Sequence, residues 1–322
     1  MLKKTARVSA VTFAWALACL PAAAHPAYPD KPIKFVVNFT AGGPLDIMAR
    51  LVAERLSAIL KQPVVVENKT GSGGNIGAAA VASAAPDGYT VLFSLDSIFT
   101  VNPSLYPSLG FRLDQLKPIM RLASSGMLIA AHPSAKADTL EALVARGHED
   151  MVAFSSAGNG SPGHLGLSML SQATRMKINH IPYRGNAQAV LAVVSGEVQA
   201  AVLATPGLLP HVNAGTVKAL AVTGSQRSPL LPQVPTTAEQ GYAAVRQDVL
   251  YLAMVPSGTP DSVVQTLSRA VQLIMAHPEV QQRLRAMDFT IETRDGEAAA
   301  RELAETRERY ARIIKSAGMS VD

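Results

Sequence analysis

Four short stretches concentrate the residues able to do chemistry in this sequence of 322 residues. They are Thr40-Ala41-Gly42-Gly43, with Asp46 just beyond, and Thr70 to Gly74, followed by Asn75. Ser155 to Ser161 holds Ser156, Ala157 and Asn159 and is followed by His164, and Tyr183-Arg184-Gly185-Asn186 is the fourth. Each follows an apolar run and precedes a helical pattern. The first amides of a helix have no internal partner and point outward, so a glycine-rich entry offers donors to an anion. Gly43, Gly73, Gly74 and Gly185 put no side chain in a ligand's way. Any one such loop is equally well an ordinary strand-to-helix connection. Four of them, two in each half of the chain, describe a cleft lined by neutral donors that suits a carboxylate.

Other chemistries find no residues. A phosphate-binding P-loop needs a lysine directly after its last glycine. The TAGGPLD segment has none, and Lys69 precedes its glycines. Gly158-x-Gly160-x-x-Gly163 matches a dinucleotide fingerprint, but Tyr183 and Arg184 stand where an acid is expected. No serine sits in a G-x-S-x-G elbow, and no H-E-x-x-H occurs. His132, His148, His164, His180, His211 and His277 lack ligand spacing, and only His164 directly follows a candidate loop. No catalytic group, metal or cofactor is expected. The formal net charge is +5, and three of those positive charges lie in the first 24 residues, which leaves about +2 beyond them. That excess is too small to argue for a nucleic-acid partner.

The elements that must position the loops begin after a leader. Lys3, Lys4 and Arg7 precede the apolar run Val8 to Leu20, and Ala22-Ala23-Ala24 offers a cleavage site. Residues 1–24 read as a signal peptide, with a run too short to anchor in a bilayer. The only cysteine, Cys19, falls inside it, so the exported chain is expected to have no disulfide or thiolate site. The remaining chain exceeds the usual single core, which predicts two lobes. Strands are expected at Ile33 to Phe39, Val64 to Val66 and Tyr89 to Leu95, with helices from Pro44 to Leu60 and from Asn75 to Ala84. Pro44 fits the first helical position, and Asn75 reads as a cap. The pattern restarts at Met127, with strands near Met151, Asn179, Val198 and Val217 and a helix opened by Ser161-Pro162. A strand from Asp248 to Val255 and a helical stretch to Ala317 complete the chain.

This order implies an α/β fold of mainly parallel sheets with helices on both faces. Residues 25–124 plus 250–322 form one expected lobe and residues 125–249 the other. Crossings near Leu122 to Leu128 and Asp248 to Val255 suit a hinge around a ligand cleft. In parallel sheets the loops after the strands share the carboxyl edge, where ligands bind. Ser94 and Asp96, at the end of the third strand, belong to that edge. Asp96 reads either as a cap for the following turn or as a selector that faces the cleft and favours a ligand bearing an ammonium.

The segments YPDKPIKFVVNFTAGGPLDIMARLVAERL, QPVVVENKTGSGGNIGAAAVASAAPDGYT and NPSLY resemble the Bug family, the TctC-like receptors of tripartite tricarboxylate transport systems. FSSAGNGSPGHL, HIPYRGNAQAV, PHVNAGTVKALAVTG and VPTTAEQGY extend the likeness over nearly the whole chain. The resemblance implies a type II-like periplasmic binding protein whose two lobes close on a small organic acid or amino acid. It implies a non-catalytic, monomeric receptor that serves membrane permease subunits. In that family the loop after the first strand and a YKG-like loop of the second lobe grip a carboxylate, here Thr40 to Gly43 and Tyr183-Arg184-Gly185. Asp96 stands where the family is often neutral, and Val202-Leu203-Ala204 leaves apolar walls where acidic and amide residues are usual. A ligand sensor for a signalling partner would need the same cleft. An enzyme acting on organic acids would need a nucleophile, base or metal that the sequence does not assemble.

Overall fold

The computed structural model describes residues 28–321, so the expected signal peptide and Cys19 lie outside the described residues. The first half is a βαβαβ unit. Strands β1 (Ile33–Val37), β2 (Val64–Asn68) and β3 (Thr90–Leu95) run parallel with β1 in the middle. Helices α1 (Pro44–Leu60) and α2 (Asn75–Ala82) connect them. α1 buries Leu45, Met48, Val52 and Leu56 at helical spacing, and its amphipathic stripe is what fixes it on the sheet. A short helix α3 (Ser97–Thr100) follows β3.

The strand β4 (Leu116–Ala131) then carries the chain into the second half. There follow α4 (Leu140–Glu149), β5 (Val152–Ser156), α5 (Pro162–Thr174), β6 (Ile178–Pro182) and α6 (Asn186–Val194). Next come β7 (Ala200–Ala204), α7 (Thr205–Asn213) and β8 (Lys218–Val222). The strand β9 (Asp248–Pro256) returns to the first half. It precedes α8 (Asp261–Ala276), α9 (Pro278–Arg285), β10 (Arg294–Asp295) and α10 (Gly296–Ala317).

The strands form one curled sheet in the order β2-β1-β3-β9-β4-β7-β5-β6, with β8 and β10 also on β4. β4 pairs with β9 from Leu116 to Gly126 and with β7 from Met127 to Ala131, so it passes between the two halves at Gly126-Met127. β9 starts opposite Gly126 and lies entirely in the first half, which puts the second passage just before Asp248. The sheet is mixed rather than mainly parallel. β3–β9, β9–β4, β4–β7 and β4–β8 are all antiparallel, because the strands that leave and return through the waist run against their neighbours. Parallel pairing is kept at the two outer ends, β2-β1-β3 and β6-β5-β7, where helices cover the faces.

Two local expectations change. β1 stops at Val37 rather than Phe39, because Asn38 turns inward and its carboxamide donates to the Gly74 carbonyl (3.1 Å) and the Ser94 hydroxyl (2.9 Å). Asn75 is the first residue of α2 rather than its cap. Gly74 holds the cap position at φ +94°, and the Asn75 carboxamide oxygen instead accepts from Asn102 (2.7 Å). Ser161 does cap α5, where it accepts from the His164 amide at 3.3 Å. The last helices pack back onto the first half, α8 on α1 and α10 on β4. α10 also touches α5, where Gln172 donates to Ser316 at 3.0 Å.

Candidate functional site

The loop after β1 is braced from behind. Asp46, only 3% exposed, accepts from the Gly42 amide (3.0 Å), the Arg50 Nε (2.9 Å) and the Asn68 carboxamide (2.9 Å). Asn68 also donates to the Phe39 carbonyl at 3.0 Å. Burial pushes the Asp46 carboxyl up, but these donors more than offset it and hold the group below the usual carboxylate range. Asp46 is thus an ionised brace with its oxygens occupied. The brace fixes Gly42 at φ +78°, a conformation that costs glycine nothing, and aims the uncapped start of α1 forward.

Buried carboxamides hold the second loop. Gly71, Ser72, Gly73 and Gly74 all have positive φ. Asn38 takes the Gly74 carbonyl and Asn102 the Gly73 carbonyl (3.0 Å). In the third loop the Ser156 hydroxyl meets His180 Nε2 at 2.6 Å, and His164 Nδ1 accepts from the Gly160 amide at 3.3 Å. The rings of His164 and His180 stack at 4.4 Å. Burial lowers both imidazoles to about 4, with the neighbouring ring a further cause for His180, so both are neutral at pH 7. In the fourth loop Tyr183 donates to Glu197 (2.8 Å), and Gly185 opens α6 at φ +112° with no side-chain cap.

The two halves meet across these loops. A Cβ on Gly185 would overlap the Thr40 hydroxyl, and one on Gly73 would lie 3.0 Å from the Asn159 carbonyl. The Tyr106 hydroxyl donates to that same carbonyl at 2.9 Å. The seam leaves two adjoining spaces. An inner chamber of about 40 Å³ is lined by Thr40, Gly43, Ala157 and Asn186 and walled by Leu95, Met127, Leu203, Val249 and Tyr251. An outer cleft of about 540 Å³ is lined by Asn38, Thr40, Gly73, Gly74, Ala157, Asn159, Tyr183, Arg184 and Gly185, with Tyr106 on its wall. Among the described residues the only ionisable side chain lining the chamber is Tyr251. Its phenol meets the Ser125 hydroxyl at 3.1 Å, and burial holds it protonated.

The expected site residues therefore divide. Thr40, Gly43, Gly73, Gly74, Ala157, Asn159, Tyr183, Arg184 and Gly185 line one space or both. Ala41 and Gly42 are exposed on the rim of the first loop. Asp46, Asn75, Ser94, Ser156, Ser161 and His164 line neither space and instead hold the loops in shape. Asp96 departs furthest from its expected place. It is 3% exposed, accepts from the Leu250 amide (3.0 Å) and the Thr100 hydroxyl (2.9 Å), and makes no side-chain cap bond to α3. It ties β3 to β9 and does not face the cleft, so the selector role is withdrawn on geometry. The sequence reading missed Leu95, Met127, Val249, Tyr251 and Tyr106. The signal available for three of them was position, since Met127, Val249 and Tyr251 lie at or beside the two crossings.

Three helices begin on the chamber without a side-chain cap: α1 after Gly43, α6 after Gly185 and α7 after Ala204. Their first amides are left for water or a ligand, and the partial positive charge of each helix start favours an anion there. Among the described residues no cluster of three His, Cys, Asp or Glu could hold a metal, and no helix is long and apolar enough to cross a membrane.

Comparison with known proteins agrees with this architecture. Protein BugT of Bordetella pertussis is 34% identical over 295 residues, which cover 90% of each chain. An R. palustris protein solved with adipate superposes with a TM-score of 0.87 at 28% identity, over 90% of this chain and 98% of that one. MatC from Rhodopseudomonas palustris, solved with bound malate, superposes with a TM-score of 0.84 at 28% identity, over 89% of this chain and all of that one. The profile of the tripartite tricarboxylate transporter family receptor, TctC, matches residues 48–319. With the fold, the waist and the paired helix starts in the same chain, the protein belongs to the TctC family of solute-binding receptors.

Proposed function

We propose that the protein is a periplasmic receptor that captures a small carboxylate by lobe closure and hands it to the permease subunits of a tripartite tricarboxylate-type system. Residues 1–24 export it, residues 25–124 plus 250–322 and 125–249 are its lobes, and it works as a monomer without chemistry of its own. The observation that carries the reading is the convergence of three uncapped helix starts on one chamber with no charged side chain. Fixed neutral donors bind an anion and release it unchanged. Thr40 to Gly43 and Tyr183 to Asn186 form the two jaws, Gly73, Gly74 and Asn159 form the outer wall, and Asp46 braces the first jaw. The malate and adipate seen in related structures support a carboxylate as the class of ligand.

A thermal-shift screen of the purified protein with mono-, di- and tricarboxylates and neutral sugars tests this. A ligand at about 100 times its dissociation constant stabilises the fold by about 2.7 kcal/mol. Acids should raise the melting temperature and come back unchanged by mass spectrometry. A shift with a sugar and none with any acid would place the protein in another ligand class.

A further inference from the structure

Building on the carboxylate-receptor reading, we infer that the ligand is a short monocarboxylate with an uncharged, apolar body. Its carboxylate lies at the starts of α1 and α6, and its body turns inward against Met127, Leu203 and Val249. The chamber walls are the first support. Beyond Thr40 and Asn186, which sit at the jaws, the side chains that line the chamber are apolar apart from the Tyr251 hydroxyl, with Leu95, Met127, Leu203 and Val249 among them. A second carboxylate or a hydroxyl placed against those side chains would lose its water and find no charged side chain in return.

The acids are the second support. Neither the chamber nor the outer cleft is lined by an Asp or Glu among the described residues. The acids behind the jaws are already engaged, Asp46 by three donors, Asp96 by Leu250 and Thr100, and Glu197 by the Tyr183 hydroxyl. An amino-acid ammonium therefore finds no counter-charge. The cations point the same way. Arg50 is held by Asp46, donates to Asn68 at 3.1 Å and lines neither space. A diacid running outward meets a single cation on the cleft lining, Arg184, exposed at its mouth, where an ion pair adds little.

Calorimetry on the purified protein with propionate, butyrate, malate, adipate and aspartate, at one pH and ionic strength, tests the proposal. Propionate or butyrate should bind at least tenfold more tightly than the other three. Met127→Gln keeps the length of the side chain and adds a polar group to the wall, so butyrate affinity should fall by tenfold or more. A circular dichroism melt reports on folding, and Val249→Thr is the second variant should Met127→Gln unfold. Malate, adipate or aspartate binding as tightly as the monoacids would overturn the inference while leaving the receptor reading in place. Unchanged butyrate affinity in a folded wall variant would overturn the inward placement. Silence from all five acids would overturn this inference, and the wider screen of acids and sugars would then decide the carboxylate reading.

Discussion

Asp46 and Asp96 are both buried carboxylates beside the same sheet edge, and their surroundings push them in opposite directions. Three donors hold Asp46 ionised, whereas burial raises Asp96 to about 6 in spite of the Leu250 amide and the Thr100 hydroxyl. A carboxyl whose folded value lies above its unfolded 3.8 contributes stability at low pH that is lost as pH rises through about 6. His164 and His180 have the opposite sign. Their folded values near 4 lie below the ordinary 6.5, so their contribution is present above 6.5 and is lost as pH falls through 4. Between pH 6.5 and 4 the two imidazoles lose stability on acidification while Asp96 gains it, and burial raises Asp248 and Asp288 in the same sense as Asp96. Asp96→Asn removes one opposing group, so its urea midpoint should fall from pH 7 to pH 5 relative to that of the natural protein. Ligand preference should not change, since Asp96 faces β9 and not the cleft. A parallel pair of pH profiles would show that Asp96 is ordinary inside the fold, and a changed ligand order would return it to the site.

The start of α1 separates function from stability within one element. Gly43 occupies the cap position in an extended conformation, φ −80° and ψ 167°, which any residue adopts. A Cβ there would sit 3.5 Å from the Thr40 carbonyl, an ordinary contact. Aspartate is among the preferred caps, and its charge suits a helix start. Gly43→Asp should therefore fold and gain about 0.5 kcal/mol, while its carboxylate occupies the position meant for the ligand and abolishes acid binding. A melt beside calorimetry reads both outcomes, and full affinity in the folded variant would move the ligand away from α1. Such helix starts were legible in the sequence because their signals are local: two glycines, then proline, or Ser161-Pro162. The Asn75 cap was misread because its carboxamide is claimed by Asn102, 27 positions along the chain, and no local pattern announces that partner.

At the scale of the molecule, two lobes and two crossings were legible from strand-helix alternation and the restart near Met127. The antiparallel waist was not, since pairing between β3, β4 and β9 joins segments more than 120 residues apart. Two of the chamber walls were hidden for the same reason: Met127 and Val249 join Leu203, which the family likeness marks as an apolar wall, only once the waist has formed. The seam itself carries the last prediction. Tyr106, from the first half, donates across the cleft to the Asn159 carbonyl at 2.9 Å, and the glycines at 73 and 185 let the backbones approach. That bond exists only when the halves are together, so its net worth of about 1 kcal/mol weights closed over open roughly fivefold. Tyr106→Phe keeps the ring and removes the donor. Affinity for whichever acid binds should drop about fivefold, the melting temperature without ligand should stay nearly constant, and the loss should reside in faster release. Small-angle scattering supplies the structural half of the test. The natural protein should scatter as a monomer and contract in saturating ligand, while Tyr106→Phe should need proportionally more ligand to reach the same radius of gyration. Identical curves with and without ligand would mean that the chamber is preformed and rigid, and Tyr106 would then be a packing residue on its wall.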